Sequence, residues 1–425
     1  MGAAIAAGCV AGTRATSVPG AIGEFVQDDA HPPHPWRTLS AQEQAKFELG
    51  YEVFNTEWVP ANSPSGRIDG LGPLFNSQGC DACHNSRRRG RGPRGSGEAP
   101  STLVFQIGTL QPDGTVRRGT EEYGFVLSPV ALKGFKPEAR ISIRYEDRAR
   151  ALDDGTQVSL RLPHYTVDKL SGPPLPAHTV LLPRMPPMVL GPGLLELVPQ
   201  SELVRIAAEQ KRKGGPVHGR APAGRFGWQG TEPTVESQVA NAFSREMGLT
   251  TPLVSHIDCG RDDTACQNAP TGGAPEVEPE LFEAVAFFQK LHAVPVVRLV
   301  NESELGAQLF AKTGCAQCHR PTLPAGDRAI IHPYTDLLVH DLGPGLADRD
   351  IDDNVIHSEW RTAPLWGMHA GAVSGQVQTL LHDGRARSVE EAILWHDGEG
   401  WEARERFSRL SQADRRTLLE WINGL

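Results

Sequence analysis

The sequence predicts a mainly α protein of two domains, the first interrupted by a β-rich insertion. Three observations carry that prediction. Two C-x-x-C-H motifs, Cys80-Asp81-Ala82-Cys83-His84 and Cys315-Ala316-Gln317-Cys318-His319, stand 235 residues apart, one for each domain. Helix start signals and apolar stripes flank both motifs. Between residues 101 and 180 or so, the texture changes to short alternating and β-branched runs separated by Gly, Asp and Pro. A chain of 425 residues has room for two or three cores.

The elements follow in order. Residues 1–38 are rich in Ala, Gly and Pro and read as leader and linker. Ser40 and Glu43 have capping-box spacing and open a helix that runs through Phe47 and Tyr51 toward Phe54. A Pro/Gly-rich stretch then delivers the chain to Cys80. Strands are expected at Leu103-Val104-Phe105-Gln106-Ile107, Tyr123-Gly124-Phe125-Val126-Leu127, Arg140-Ile141-Ser142-Ile143-Arg144-Tyr145 and Val158-Ser159-Leu160-Arg161-Leu162. Helical period returns from Pro199 to Ile206, at 234–247 and at 279–292. Gly306 to Cys315 forms an entry helix with Ser303 as its cap. Ser411 caps a terminal helix, with Asp414 three residues on and Leu418, Leu419, Ile422 and Leu425 as its stripe. These elements divide the chain into 39–278, with the insertion at about 101–180, and 279–425.

The motifs themselves carry chemistry. Two thiols three positions apart can each add to a vinyl group of one porphyrin, and the following His is held where its imidazole can ligate iron. Zinc knuckles and thioredoxin-like sites also use C-x-x-C, but a zinc site needs a further Cys or His pair at ligand spacing, and none follows either motif. Two covalently bound haem c groups are therefore expected, on Cys80, Cys83 and His84 and on Cys315, Cys318 and His319. A net charge of −9 gives no reason to expect nucleic acid. The one basic run, from Arg87 to Arg94, reads either as a solvated loop or as a docking patch for an acidic donor or a partner for haem propionates. Cys259 and Cys266 bracket a polar loop that a disulfide would close, which points outside the cytoplasm. Cys9, in Ala6-Ala7-Gly8-Cys9, reads either as a lipoprotein box that tethers the chain to a membrane or as an incidental residue.

The entry helix, motif and closing helix after 279 are similar to a small cytochrome c domain. Trp360-Arg361-Thr362-Ala363-Pro364-Leu365 and Leu381-His382-Asp383-Gly384-Arg385, followed by Ser388-Val389-Glu390-Glu391-Ala392, resemble bacterial di-haem cytochrome c peroxidases and the related maturation oxygenases. His396, fourteen residues after His382, stands where that group has the distal ligand of its second haem. The resemblance thus implies a bis-histidine haem between His319 and His396; read alone, His396 is a surface residue near a helix end. Phe226-Gly227-Trp228-Gln229, Glu236-Ser237-Gln238 and Arg245-Glu246-Met247-Gly248 resemble the peroxidase segment around the first haem, with two residues fewer between the Gln and the Glu. By that match Trp228 lies between the haems, and Gln238 and Glu246 lie over the peroxide-binding iron; otherwise they are a core aromatic and two helix-surface residues. Gly72-Pro73-Leu74-Phe75-Asn76, Gly224-Arg225-Phe226 and Ile331-His332-Pro333-Tyr334 are similar to the di-haem oxidoreductase family, also called thiol oxidoreductases. Relatives hold Ca²⁺ between the haems, with Thr362 and Pro364 where carbonyl ligands would be.

The expected function is a periplasmic di-haem enzyme that takes hydrogen peroxide or another small oxidant at the His84 haem. Electrons would come from a periplasmic donor protein through the His319/His396 haem. A plain electron-transfer cytochrome, and oxidation of a protein or metal partner, are the rival readings. The distal position of the first haem is left among His218, His164, His340 and an open site.

Overall fold

The computed structural model describes residues 24–26, 33–64, 68–84, 88–100, 102–296, 304–326, 329–352, 354–369 and 379–425. Cys9, Arg87 and Ser303 lie outside them. Nine helices position the sites: α1 (Ala41–Asn55), α2 (Cys80–His84), α3 (Gln200–Lys213), α4 (Val235–Met247), α5 (Pro279–Leu291), α6 (Leu305–Thr313), α7 (Val389–Trp395), α8 (Trp401–Ser408) and α9 (Gln412–Asn423). The frame also includes the strands β1 (Val104–Leu110), β2 (Val116–Arg118), β3 (Ala139–Ala151), β4 (Gln157–Leu170), β5 (Thr179–Arg184), β6 (Asp348–Asp350) and β7 (Val355–His357), with further short pairings elsewhere.

The local signals act as chemistry dictates. Ser40 accepts the Glu43 N–H at 3.3 Å while the Glu43 carboxylate accepts the Ser40 N–H at 2.9 Å, so two orphan donors of α1 are satisfied reciprocally. Phe47 and Phe54 of α1 are buried against α5, with ring centroids 5.2 and 5.7 Å from Phe288. The helices approach this closely because a side chain on Gly50 would meet the Ala284 backbone. Helix 279–291, expected to open the second domain, therefore packs on the helix that opens the first. Ser411 accepts the Asp414 N–H at 3.1 Å and caps α9, which crosses α6 where Gly306 lies against Trp421.

The β content corrects the expected fold class. The chain is 32% helical and 22% strand, an α and β mixture, not a mainly α protein. The antiparallel sheet has the order β7-β6-β5-β1-β2, so residues 348–357 supply two of its five strands. No local pattern in these three-residue segments announces a strand; Asp348–Asp350 becomes one by pairing with β5, and Val355–His357 by pairing in turn with Asp348–Asp350. Arg184 at the end of β5 clamps the join with a bidentate pair to Asp348, 2.8 and 2.7 Å, both side chains buried. β3 and β4 form a long hairpin whose Leu152, Leu160 and Leu162 enter one core with Phe310, Trp395, Leu418 and Trp421. Arg415 to Asp154 at 2.7 Å and Arg150 to Glu405 at 2.8 Å pin the hairpin tip there. The insertion expected in the first domain thus completes the core around the second motif.

Residues 123–127 do not form the expected strand. The Asp258 carboxylate takes the N–H groups of Phe125 at 2.8 Å and Val126 at 3.1 Å, which bends the segment away from β1 after two pairings. Cys259 and Cys266 are joined in a disulfide. Among the described residues no helix is long and apolar enough to cross a membrane.

Candidate haem-binding sites

The first motif is itself a short helix, α2, ending on His84. The His84 Nδ1 lies 2.9 Å from the Pro187 carbonyl. A carbonyl can only accept, so Nδ1 carries the proton and Nε2 keeps its lone pair, the form that ligates iron. Burial lowers the His84 pKa and favours the same neutral ring. Helix α4 ends beside the motif: the Glu246 carbonyl accepts the N–H groups of Asn76 at 2.8 Å and Ser77 at 3.1 Å, just ahead of Cys80. Burial pushes the Cys83 thiol up to about 11, and the charge of nearby Glu246 adds to the rise.

Two polar atoms beside this motif, Glu246 Oε2 and Asn76 Nδ2, are buried without a hydrogen-bond partner, and a third, Gln238 Oε1, lies two turns back along α4. Each costs about 1–3 kcal/mol if left unmade, so the pair at the motif marks a place that a ligand completes. Burial raises the Glu246 pKa to about 8, with Arg245 opposing and Asp258 assisting. The carboxyl is therefore poised to exchange a proton near neutrality.

The second motif opens on a cavity of about 1360 Å³, its open mouth included. Cys315, Cys318, His319 and His396 all line it, together with Trp228, Phe310, Leu346, Trp360, Leu365 and Met368. His319 Nδ1 lies 3.0 Å from the Tyr334 carbonyl, and His396 Nδ1 lies 2.7 Å from the Ala392 carbonyl. Both rings thus keep a bare Nε2, as His84 does. Burial lowers His319 to about 4, with His396 nearby adding to the effect, and lowers His396 too. Two neutral imidazoles and two half-buried thiols lining one apolar cavity fit a thioether-linked bis-histidine haem.

Segment 185–189, just past β5, joins the two sites. The Trp228 indole N–H donates to the Met185 carbonyl at 2.8 Å, His84 donates to Pro187, and His292 Nδ1 lies 2.9 Å from the Val189 carbonyl. Alternate carbonyls of one strip of backbone therefore hold the indole on the wall of the second cavity and the imidazole of the first motif. Sequence reasoning missed this strip and its three orienting carbonyls, for which Pro186-Pro187, a pair that favours extended backbone, is the one local signal.

The structure brings Cys80, Cys83 and His84 together with Glu246, and Cys315, Cys318 and His319 together with His396 and Trp228. It separates the three histidines considered for the first iron. His340 is buried between Asp336 at 2.9 Å and Glu399 at 2.7 Å, with the Cys318 sulfur 3.7 Å away at the second motif. His218 is an exposed ring turned onto the Pro216 carbonyl, and His164 pairs with Glu146 on the hairpin. The Thr362 carbonyl, a calcium candidate by resemblance, accepts the Thr335 hydroxyl at 2.7 Å and the Arg361 guanidinium at 3.3 Å.

A mixed α and β frame holding two C-x-x-C-H histidines with free Nε2 atoms is that of a haem oxidoreductase. The family model described as "Di-haem oxidoreductase, putative peroxidase" matches residues 130–425, and the chain belongs to that family of enzymes, whose name implies haem cofactors. No curated protein matches the chain. Among solved structures, hydrazine synthase of Kuenenia stuttgartiensis, pressurised with 20 bar xenon, aligns over 100% of both chains at 13% identity and a TM-score of 0.38, too low to bear on fold or function.

Proposed function

We propose that the chain is a periplasmic di-haem c-type oxidoreductase that reduces hydrogen peroxide at the first haem with electrons passed through the second. The observation that carries this reading is the pair of buried, unpartnered atoms Glu246 Oε2 and Gln238 Oε1 on the helix that ends beside Cys83. Bound haem would supply the iron that takes up peroxide and the electrons that cleave its O–O bond. The protein's part is proton handling. Glu246 as carboxylate accepts a proton from the nearer oxygen and returns it to the departing one, and Gln238 orients the neutral molecule through its amide. The balance is one peroxide, two electrons and two protons to two waters.

The second site reads as the electron entry. His319 and His396 facing one cavity leave no open position, which suits a carrier rather than a binding site. Trp228, between that cavity and the carbonyl strip that holds His84, offers the route between them. The disulfide and the thioether-ready cysteines support an oxidising compartment, and a donor protein there would reduce the second haem.

Oxidised protein should show one low-spin and one high-spin haem, and the high-spin signal should move on adding cyanide or peroxide. Two low-spin haems that ignore peroxide in every redox state would support a plain electron carrier instead.

A further inference from the structure

Three guanidinium groups stand on the wall of the second cavity, from Arg89, Arg361 and Arg404. Arg404 is already neutralised, with Glu405 Oε1 at 3.1 Å and Asp397 Oδ2 at 3.5 Å. Arg361 is 9% exposed and meets only carbonyls, of Gly227 at 3.1 Å and Thr362 at 3.3 Å. Arg89 has no hydrogen bond or ion pair with any described residue. Burial lowers both of these to about 10, which still leaves each charged at neutral pH. Neither guanidinium has a carboxylate partner among the described residues, and a desolvated charge without one costs several kcal/mol. Such a wall is stable once anions enter, and a porphyrin of the b or c type carries two carboxylates on one edge.

We propose that Arg89 and Arg361 are the counter-ions of the two carboxylates of the second haem. This rests on the reading that a haem occupies the cavity of His319 and His396. Its consequence reaches across the molecule, because Arg89 lies five residues past His84, on the strand of chain leaving the first motif. The Gly90 N–H donates to the Pro186 carbonyl at 2.9 Å, next to the carbonyl that holds His84. The same short segment therefore presents a ligand to one iron and a charge to the other haem. A cation beside the porphyrin edge favours the reduced, more negative form, so it raises the reduction potential.

The test is a spectroelectrochemical titration of the haem-loaded protein for wild type, Arg89→Gln and Arg89→Lys, with haem content of each C-x-x-C-H peptide read by mass. Arg89→Gln should lower the second-haem potential and leave the first nearly unmoved, while Arg89→Lys should keep the wild-type value. Arg89 bonds to nothing else described, so the fold has little to lose; Arg361→Gln should add a further downward shift. An unchanged second-haem potential in Arg89→Gln, with both haems attached, overturns the inference and leaves the cofactor reading intact. A wild-type protein without haem on the Cys315–Cys318 peptide overturns both. A wild-type potential that follows phosphate concentration while Arg89→Gln ignores it would mean that a solvent anion sits there, and would equally overturn the assignment.

Discussion

Replacing Glu246 by Gln keeps the size of the side chain and removes only its ability to ionise. In the folded chain burial raises this carboxyl from 4.5 to about 8. At about 1.36 kcal/mol for each pH unit between the folded and unfolded values, ionising it in place costs on the order of 5 kcal/mol. Below pH 4.5 the group is neutral whether the chain is folded or not. Between 4.5 and 8 it ionises only when unfolded, so the wild type loses stability as pH rises through that window and then levels off. Glu246→Gln should match the wild type in denaturant melts at pH 4 and exceed it by several kcal/mol at pH 9. Peroxide turnover should move the other way. Wild-type turnover should climb through about pH 8 as the carboxylate forms, whereas the variant should be flat with pH and slower by about 10²–10⁴-fold. A variant within tenfold of wild-type turnover, or with stability parallel to wild type from pH 4 to 9, would refute the assignment of Glu246 as a buried proton carrier.

His396→Ala should convert one of two haems from low to high spin, with added imidazole restoring the low-spin spectrum; an unchanged spectrum would remove His396 from the ligand set. Trp228→Phe loses the 2.8 Å bond to Met185 and should cost about 1 kcal/mol. Stopped-flow reduction should also show slower transfer from the second haem to the first, and an unaltered rate would take the indole off the route. Asp348→Ala leaves Arg184 buried and unpaired, and chemical denaturation should show a loss of about 3–5 kcal/mol. Cys259→Ser opens a loop of sequence separation 7 and should cost about 2–3 kcal/mol under oxidising conditions and nothing once the wild type is reduced.

The candidate haem-attachment residues stand out in the sequence because two thiols and an imidazole within five residues need no tertiary information to be read. The same holds for Ser40 and Ser411, whose caps act over three residues. His396, Gln238 and Glu246 came from resemblance, and their local spacing alone reads equally as helix surface. What sequence could not show is non-local. Asp348–Asp350 becomes a strand only because β5 offers an unpaired edge, and that pairing overturned the mainly α expectation. Composition left the basic run between a solvated loop, a docking patch and a partner for haem carboxylates; only the tertiary structure sets Arg89 on the wall of the second cavity. His340 was one of three histidines considered, beside an open site, for the first iron, and only the fold shows it held between Asp336 and Glu399.

The five-stranded sheet also sets an order of events. Its central strands are synthesised long before residues 348–357, which close one side of it, and the hairpin 139–170 waits for α9 to cover its tip. Contacts of such sequence separation form late. Until residues 348–350 pair with it, β5 presents an open edge and Arg184 at its end has no carboxylate partner, so a chain cut short before residue 348 would carry both a sticky sheet edge and a buried lone charge.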